Sequence, residues 1–247
     1  MGQLWNLVLY QPLLQALLFL YKLLFNNFGL AVIVFTMLVR GILVPLTIPA
    51  LKSAKKLADL KPHMDALKEK HGADKQRLQQ EQLRLYKEHG VNPAAGCLPF
   101  IAQFLVLIAL YQVFMFFIQN GKIDGTIVNM KFLWMDLAKP DKTYILPIIA
   151  GATQFILSLM MMPEKKNDLM VVQKDGKDGK KDDDMQGAMQ KQMLFMMPAM
   201  TLFFGITLPS GLALYWVATT VFSVVQQYFI TGLGGLKPYL VRLKIIS

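Results

Sequence analysis

Apolar residues run along this chain in long blocks, and the polar residues collect between them. The first block, Leu4 to Phe25, is apolar almost throughout, broken only by Asn6, Gln11, Pro12, Gln15 and Lys22. It is followed at once by FGLAVIVFTMLVRGILVPLT, Phe28 to Thr47, about 30 Å of helix at 1.5 Å per residue and enough to cross a bilayer. The two together exceed one crossing, and Asn26-Asn27 is the break, with Gly29 expected to loosen the chain just after it. Further apolar blocks run from Cys97 to Ile118, from Tyr144 to Met162 and from Met193 to Ile230. The last carries no charge at all, and Pro209-Ser210-Gly211 splits it into two spans joined by a tight turn.

The polar segments have different characters. Lys52 to Gly90 holds ten Lys/Arg and six Asp/Glu and predicts a helical hairpin outside the membrane. Leu57, Leu60, Met64 and Leu67 fall at helical spacing; Pro62 marks a kink or a fresh helix start. Gly72 suits a left-handed cap, Asp74 an N-cap, and Gly90 a second stop. Residues 164–192 combine seven basic and seven acidic residues with glycines, the composition of a disordered linker. The expected organisation is therefore an N-terminal helix (1–27), span 1 (28–51), the hairpin (52–92), span 2 (93–118), an external loop (119–143), span 3 (144–163), the linker (164–192), spans 4 and 5 (193–208 and 211–231), and a basic tail (232–247). The fold class is an all-α polytopic membrane protein. Whether the N-terminal helix spans or lies in the interface is open on residues alone, although Trp5, Tyr10 and Tyr21 would serve as interfacial anchors.

Composition sharpens this picture. The chain has 247 residues, 54% of them hydrophobic, a mean hydropathy of +0.40 and a formal charge of +10. Such a charge could suit nucleic acid, but the Lys and Arg cluster between spans, and no nucleic acid sequence is implied as a partner. With hairpin, linker and tail on one side there are twenty Lys/Arg, against five on the other, excluding Arg40. That imbalance predicts the hairpin, the linker and the C-terminus in the cytoplasm. The single cysteine, Cys97, excludes an internal disulfide and a Cys-rich metal site, and is expected to pack as a small core residue.

Arg40 is the charge that does not fit a plain span. An arginine at the centre of a spanning helix costs roughly 2.5–3.5 kcal/mol on insertion scales, so it normally snorkels or faces protein or water. No Asp, Glu or His lies in any span, and His63, His71 and His89 all belong to the hairpin. Proton-coupled carriage, metal chemistry and serine proteolysis each lack their groups, and Ser210 has no base to activate it. No GxxxxGK[ST] loop is present, so no cofactor and no nucleotide hydrolysis is expected. What remains is one cation among neutral hydrogen-bonding groups. Thr36 lies one turn before Arg40, and Gln103, Gln154, Ser158, Thr201, Ser223 and Gln226 are spread over the other spans. Taken singly they serve as interhelical bonds; together they suggest a hydrated groove whose counter-charge arrives with a visitor. Sixteen methionines add a flexible apolar surface.

The order VRGILVPLT, charged hairpin, VNPAAGCLPFIAQFLVLIALY, ILPIIAGATQF, LPSGLALYW and a Gln-Gln pair resembles the YidC-type membrane protein insertases, with their mitochondrial and chloroplast relatives. The resemblance covers about Leu4 to Ile230. It implies a five-span core and an interfacial N-terminal helix. It makes Arg40 the groove arginine, Thr36 its neighbour, and Tyr215 and Trp216 aromatic residues beside the substrate path. It also implies an insertase and chaperone of the bacterial inner membrane, neither an enzyme nor dependent on a cofactor. Nascent membrane proteins in the lipid bilayer would be its partners, with the ribosome and the general secretion channel as further candidates. Leu105 departs from a proline common in the family, and Trp216 from a tyrosine found in some relatives. A small-anion carrier or channel and a structural assembly subunit stand as alternatives.

Overall fold

In the computed structural model, residues 2–72, 74–91, 98–120, 122–123, 126–162 and 185–243 are described. The N-terminal helix, Gln3–Leu23, comprises α1 (Gln3–Trp5), a π-helical stretch at Asn6–Tyr10, and α2 (Gln11–Leu23). Then come α3 (Phe28–Asp59), the hairpin arms α4 (Lys61–His71) and α5 (Lys75–Glu88), and α6 (Leu98–Asn120). Two small antiparallel ribbons follow, β1 (Lys122–Ile123) with β2 (Thr126–Ile127), and β3 (Lys131–Phe132) with β4 (Met135–Asp136). The chain continues through α7 (Ile145–Met160), α8 (Met185–Thr207) and α9 (Ser210–Thr231) to a short α10 (Lys237–Arg242). The fold is an all-α membrane fold with a minor ribbon-bearing loop.

The breaks follow local chemistry. Phe25 and Asn26 both take left-handed backbone (φ 55° and 57°), and Asn27 caps α3 by accepting from the Leu30 N–H at 3.0 Å. Asp74 caps α5 in the same way, accepting from Arg77 N–H at 3.0 Å, and Gly90 at φ 60° closes that arm. Pro62 sits in the first turn of α4, where its missing N–H costs nothing.

Several boundaries differ from the sequence reading. The helix that carries span 1 runs past residue 51 to Asp59, because residues 52–59 carry good helix formers and no proline, so the two helical arms of the hairpin begin only after Leu60. Gly72 is right-handed (φ −58°) rather than a left-handed cap; a Cβ there would press on the Lys68 carbonyl at 2.7 Å, so tight approach and not handedness is what asks for glycine. Gly29 does not loosen the chain either, since it lies in α3 and leaves room for the Phe132 ring. The final part of the expected linker, from Met185, is the first part of α8, extended by Met, Gln and Ala in spite of Gly187. Residues 164–184 of that linker and Cys97 lie outside the described residues.

Four helices are long and apolar enough to cross a membrane: Gln3–Leu23, Phe28–Asp59, Gln103–Asn120 and Ser210–Thr231. Ile145–Met160 and Leu194–Thr207 are shorter apolar helices. They pack closely on one another, and the contact uses small residues: Gly151 faces Leu202, and Gly205 faces Pro147.

The core is concentrated at the loop end of the bundle. Phe28, fully buried, meets Tyr21, Phe114 and Phe117 edge to face at centroid distances of 6.0, 5.3 and 5.0 Å. Val32, Leu110, Val113, Leu137 and Leu212 belong to the same cluster. The loop fastens it down. Ser210 Oγ donates to the Asp136 carbonyl (2.9 Å), Ser210 N–H to Lys139 (2.8 Å) and Gly211 N–H to Leu137 (3.1 Å). Gly211 leaves space for the Phe114 ring, and the Asn129 N–H donates to the Tyr21 hydroxyl at 3.0 Å.

Candidate functional site

Away from that cluster, toward the hairpin, the facing sides of α3 and α9 become polar. The two helices run parallel, and their polar residues meet in register. Arg40 of α3 lies within electrostatic reach of the buried Tyr215 of α9. Tyr215 accepts a hydrogen bond from Gln103 Nε2 of α6. Further along, Gln226 Nε2 donates to Thr47 Oγ1 at 2.6 Å, and Lys55 Nζ donates to the Thr231 carbonyl at 3.0 Å. Pro45 and Pro49 flank Thr47 inside α3 and each removes a ladder donor. Thr47 donates in turn to the Val44 carbonyl at 3.0 Å, so one hydroxyl serves both its own helix and its neighbour.

Three buried side-chain atoms among the described residues, Arg40 Nε, Thr219 Oγ1 and Gln227 Oε1, make no well-formed hydrogen bond, although Thr219 Oγ1 lies beside the Tyr215 hydroxyl. All three sit on α3 and α9. Arg40 Nε is a charged donor, and no carboxylate among the described residues pairs with it. An unpaired buried polar group costs about 1–3 kcal/mol, and more if charged, which favours water or a visiting acceptor at this point. Among the described side chains of α6, from Gln103 onward, the buried ones, Ala109, Leu110, Val113, Phe114 and Phe117, lie toward the loop, whereas Phe104 and Leu105 are exposed.

The expected site residues divide into two groups. Arg40, Gln103, Tyr215 and Gln226 are gathered along the α3–α9 seam. Thr36 is fully buried and donates to its own helix at Val32 (2.6 Å), while Ser223 donates to Thr219 of its own helix (2.9 Å). Trp216 turns away from the seam and stacks on Phe204 of α8, centroids 6.2 Å apart. Gln154, Ser158 and Thr201 belong to the α7–α8 pair, and no hydrogen bond among the described residues joins them to Arg40. Thr47, Thr219 and Gln227 were missed, as was the pair of hydroxyls Thr153 and Thr220, 2.8 Å apart between α7 and α9. Their signal was spacing: Thr47 lies two turns from Arg40, and Thr219 one turn from Tyr215.

Comparison with known proteins identifies the family. The family described as 60Kd inner membrane protein matches residues 19–234. This chain belongs to that family. A relative from Bacillus anthracis, named membrane protein insertase YidC 2, is 38% identical over 232 residues, 92% of this chain and 81% of its own length. Another from Fusobacterium nucleatum, named membrane protein insertase YidC, is 36% identical over 210 residues, 85% of this chain and 89% of its own. A crystal structure described as active YidC insertase with the first transmembrane domain resolved superposes with a TM-score of 0.63 at 26% identity, covering 92% of this chain. The chain spans 47% of the length of that structure's chain. Membership in this family of YidC-type proteins supports an insertase function, makes the chain a multi-pass protein of the bacterial inner membrane, and sets it apart from enzymes.

Proposed function

We propose that this chain inserts membrane proteins and helps them fold by admitting a polar segment to the gap between the inner half of α6 and the α3–α9 seam. Arg40 offsets the cost of an acidic tail only while that tail is in transit, and burial of the substrate's apolar segment in lipid drives the step without nucleotide hydrolysis. The observation that carries this reading is the Arg40 guanidinium, whose Nε is buried with no partner beside Tyr215. An assembly subunit would need a fixed acidic partner for that cation, and a carrier more often shows internal repeats and broken helices. The aromatic cluster at the loop end supports a groove closed to the outside and open to cytoplasm and lipid. The twenty-to-five distribution of Lys/Arg supports a cytoplasmic hairpin and C-terminus.

The oblique run of the N-terminal helix supports an interfacial position. Trp5 Nε1 donates to Gln112 at 2.9 Å and Tyr21 is fixed at the loop. The helix advances about 24 Å between those residues, while Gln112 lies only about 12 Å from the outer end of α6. Nascent membrane proteins are the substrates in this reading; the charged faces of α4 and α5 are the surface on which a ribosome or the secretion channel would dock. Site-specific cross-linking from α9 near Tyr215 to a nascent single-span protein tests it. An adduct that depends on the substrate's spanning segment is expected, and a carrier would give none.

A further inference from the structure

The loop between α6 and α7 is fastened to the first turn of three helices. The Phe132 ring lies against Gly29 at the start of α3; the carbonyls of Leu137 and Lys139 accept from Gly211 and Ser210 at the start of α9 (3.1 and 2.8 Å); and Asp141 Oδ2 accepts from the Leu146 N–H at the start of α7 (2.9 Å). Residues 131–144 therefore lie across the helix starts and do not stand away from them. Leu133 and Trp134 follow Phe132 at the turn between β3 and β4, within about 7 Å of it at the extended reach of the chain. Tyr144 immediately precedes α7, and Phe25 stands three residues before α3. All four side chains are exposed, at 93% for Phe25, 74% for Leu133, 51% for Trp134 and 52% for Tyr144.

Three of the four also hold a backbone that disfavours a bulky side chain. Phe25, Leu133 and Tyr144 have φ of 55°, 52° and 59°; among the described residues the only other non-glycine with positive φ is Asn26, a type that accepts this region. A bulky residue in the left-handed region persists where its surroundings hold it there. Here much of each side chain is turned out of the protein, so the contact that rewards the conformation comes from outside the chain. We propose that residues 131–144 lie in the membrane interface rather than in the water above it, with Phe25, Leu133, Trp134 and Tyr144 set into the lipid leaflet at the loop end. α9 packs against both α3 and α7 and separates them, so Phe25, Leu133 and Trp134 belong to the α3 side and Tyr144 to the α7 side. A folded partner would need one continuous patch, whereas a lipid surface meets both sides of the bundle at one level. Trp and Tyr, with an apolar body and a polar tip, suit the headgroup level of such a surface. The proposal rests on the multi-pass membrane placement and not on the insertase reading, so the two fail separately.

Tryptophan fluorescence of the full chain in phosphatidylcholine vesicles tests it, with bromine placed on the acyl chains either next to the headgroup or near the chain ends, and iodide as the quencher in water. The Trp134 signal is the difference between the parent and Trp134→Phe, and Trp5→Phe combined with Trp216→Phe isolates it independently. Loss of Trp134 emission is expected to be largest with bromine next to the headgroup, smaller with bromine near the chain ends, and slight with iodide. Tyr144→Trp, in a chain whose three native tryptophans are replaced by phenylalanine, should report the same depth from the other side of α9. Leu133→Asn keeps the left-handed backbone and removes the apolar tip, so Trp134 should then lose more emission to iodide and less to lipid, with thermal unfolding in detergent unchanged. Emission at position 134 or 144 that responds to iodide and not to brominated lipid overturns the proposal, because the loop then lies in water. Emission that responds to neither quencher places the ring under protein, such as a second copy of the chain, and overturns it as well.

Discussion

The two ends of this bundle solve opposite problems with the same helices. At the loop end, α3, α6 and α9 meet through Phe28, Phe114, Phe117 and Leu212, all at 2% exposure or less, and Tyr21, Ser210 and Gly211 are tied to the loop backbone. Toward the hairpin the same three helices meet through Arg40, Gln103, Thr47, Tyr215 and Gln226, and three buried polar atoms make no well-formed hydrogen bond. One end is dry because its close packing leaves no space for water. The other keeps unpaired donors and acceptors although α3 and α9 stay bonded to one another as far as Lys55 and Thr231. A dense apolar contact and a polar seam thus lie on one continuous scaffold, and in the proposed reading the first is the seal that lets a cavity at the second stay open without splaying the bundle.

The largest effect should come from breaking the seal. Phe28→Ala removes a ring that touches three others, and such truncations cost about 3–5 kcal/mol. Thermal unfolding in detergent should shift strongly downward. Accessibility of a cysteine placed at Leu110 to a water-soluble thiol reagent should rise as well. An unchanged accessibility would show that the loop, and not the aromatic cluster, closes this end.

Much of this division was legible in the sequence, and the part that was not has a physical cause. The blocks, the Asn26-Asn27 corner, the Asp74 cap and the Pro209-Ser210-Gly211 turn are local features, and local chemistry is what a sequence displays directly. Arg40 stood out because a cation in an apolar block has few explanations. The partners were hidden. Periodicity tells which face Thr47 and Gln226 occupy but not that they face each other, 179 residues apart. Nor could it reveal that Ser210 is pinned by the carbonyls of Asp136 and Lys139, or that Trp216 stacks on Phe204. Helix ends at Asp59 and Met185 were missed because charged and polar residues continue a helix readily, so composition marks the membrane's edge and not the helix's.

The next effect is at the polar end. A charge pair about 6 Å apart at an effective dielectric of about 20 is worth roughly 2–3 kcal/mol, tens-fold in rate if it is realised at the barrier. Arg40→Ala should lose insertion of substrates with short acidic tails, and Arg40→Lys should retain most of it, because the groove needs a cation more than a planar fork. Length-matched basic tails should be slow in the parent and comparatively insensitive to Arg40→Ala. Protected N-tail in reconstituted vesicles is the readout. Equal loss in the lysine and alanine variants would point to a bidentate contact and would remove hydration from the account.

The loop end should respond to acid. Asp141 is buried in the loop; burial pushes its carboxyl up, but donors from Thr143 Oγ1 (2.6 Å), the Leu146 N–H (2.9 Å) and the Thr143 N–H (2.9 Å) outweigh it and hold the carboxyl below the usual range. Asp136 is lowered too, against a similar burial effect, by Lys139 and the Ala138 N–H. Because the folded carboxyls are the stronger acids, their stabilisation is complete above the unfolded value near about 3.9 and is lost as pH falls through the folded value. The melting temperature should drop as pH falls below about 4, and Asp141→Asn should flatten that drop while costing about 1.5–3 kcal/mol at neutral pH. A parallel pH profile in the variant would place the acid sensitivity elsewhere.

The smallest effect separates an interhelical bond from a groove lining. Gln226 and Thr47 form a bond between α3 and α9 at 2.6 Å, and Thr47 lies two turns along α3 from Arg40. If their role is to join helices, Thr47→Val and Gln226→Leu should each destabilise the bundle, and the double variant should cost less than the sum, with a coupling of about 0.6 kcal/mol as is usual for hydrogen bonds between membrane helices. Insertion should then track stability and show no dependence on tail charge. If their role is to hold water beside Arg40, the coupling in stability vanishes, while each single variant slows acidic tails more than neutral ones. Measuring unfolding and insertion on the same four proteins distinguishes the two. The contrast between the ends of the molecule makes the first outcome the expected one. Gln226 is satisfied by Thr47, whereas the atoms without a well-formed bond, Arg40 Nε, Thr219 Oγ1 and Gln227 Oε1, lie on the same two helices and carry the demand for solvent. Thr219→Val, which removes one of those atoms, should in contrast be neutral for stability and still slow the passage of a polar tail.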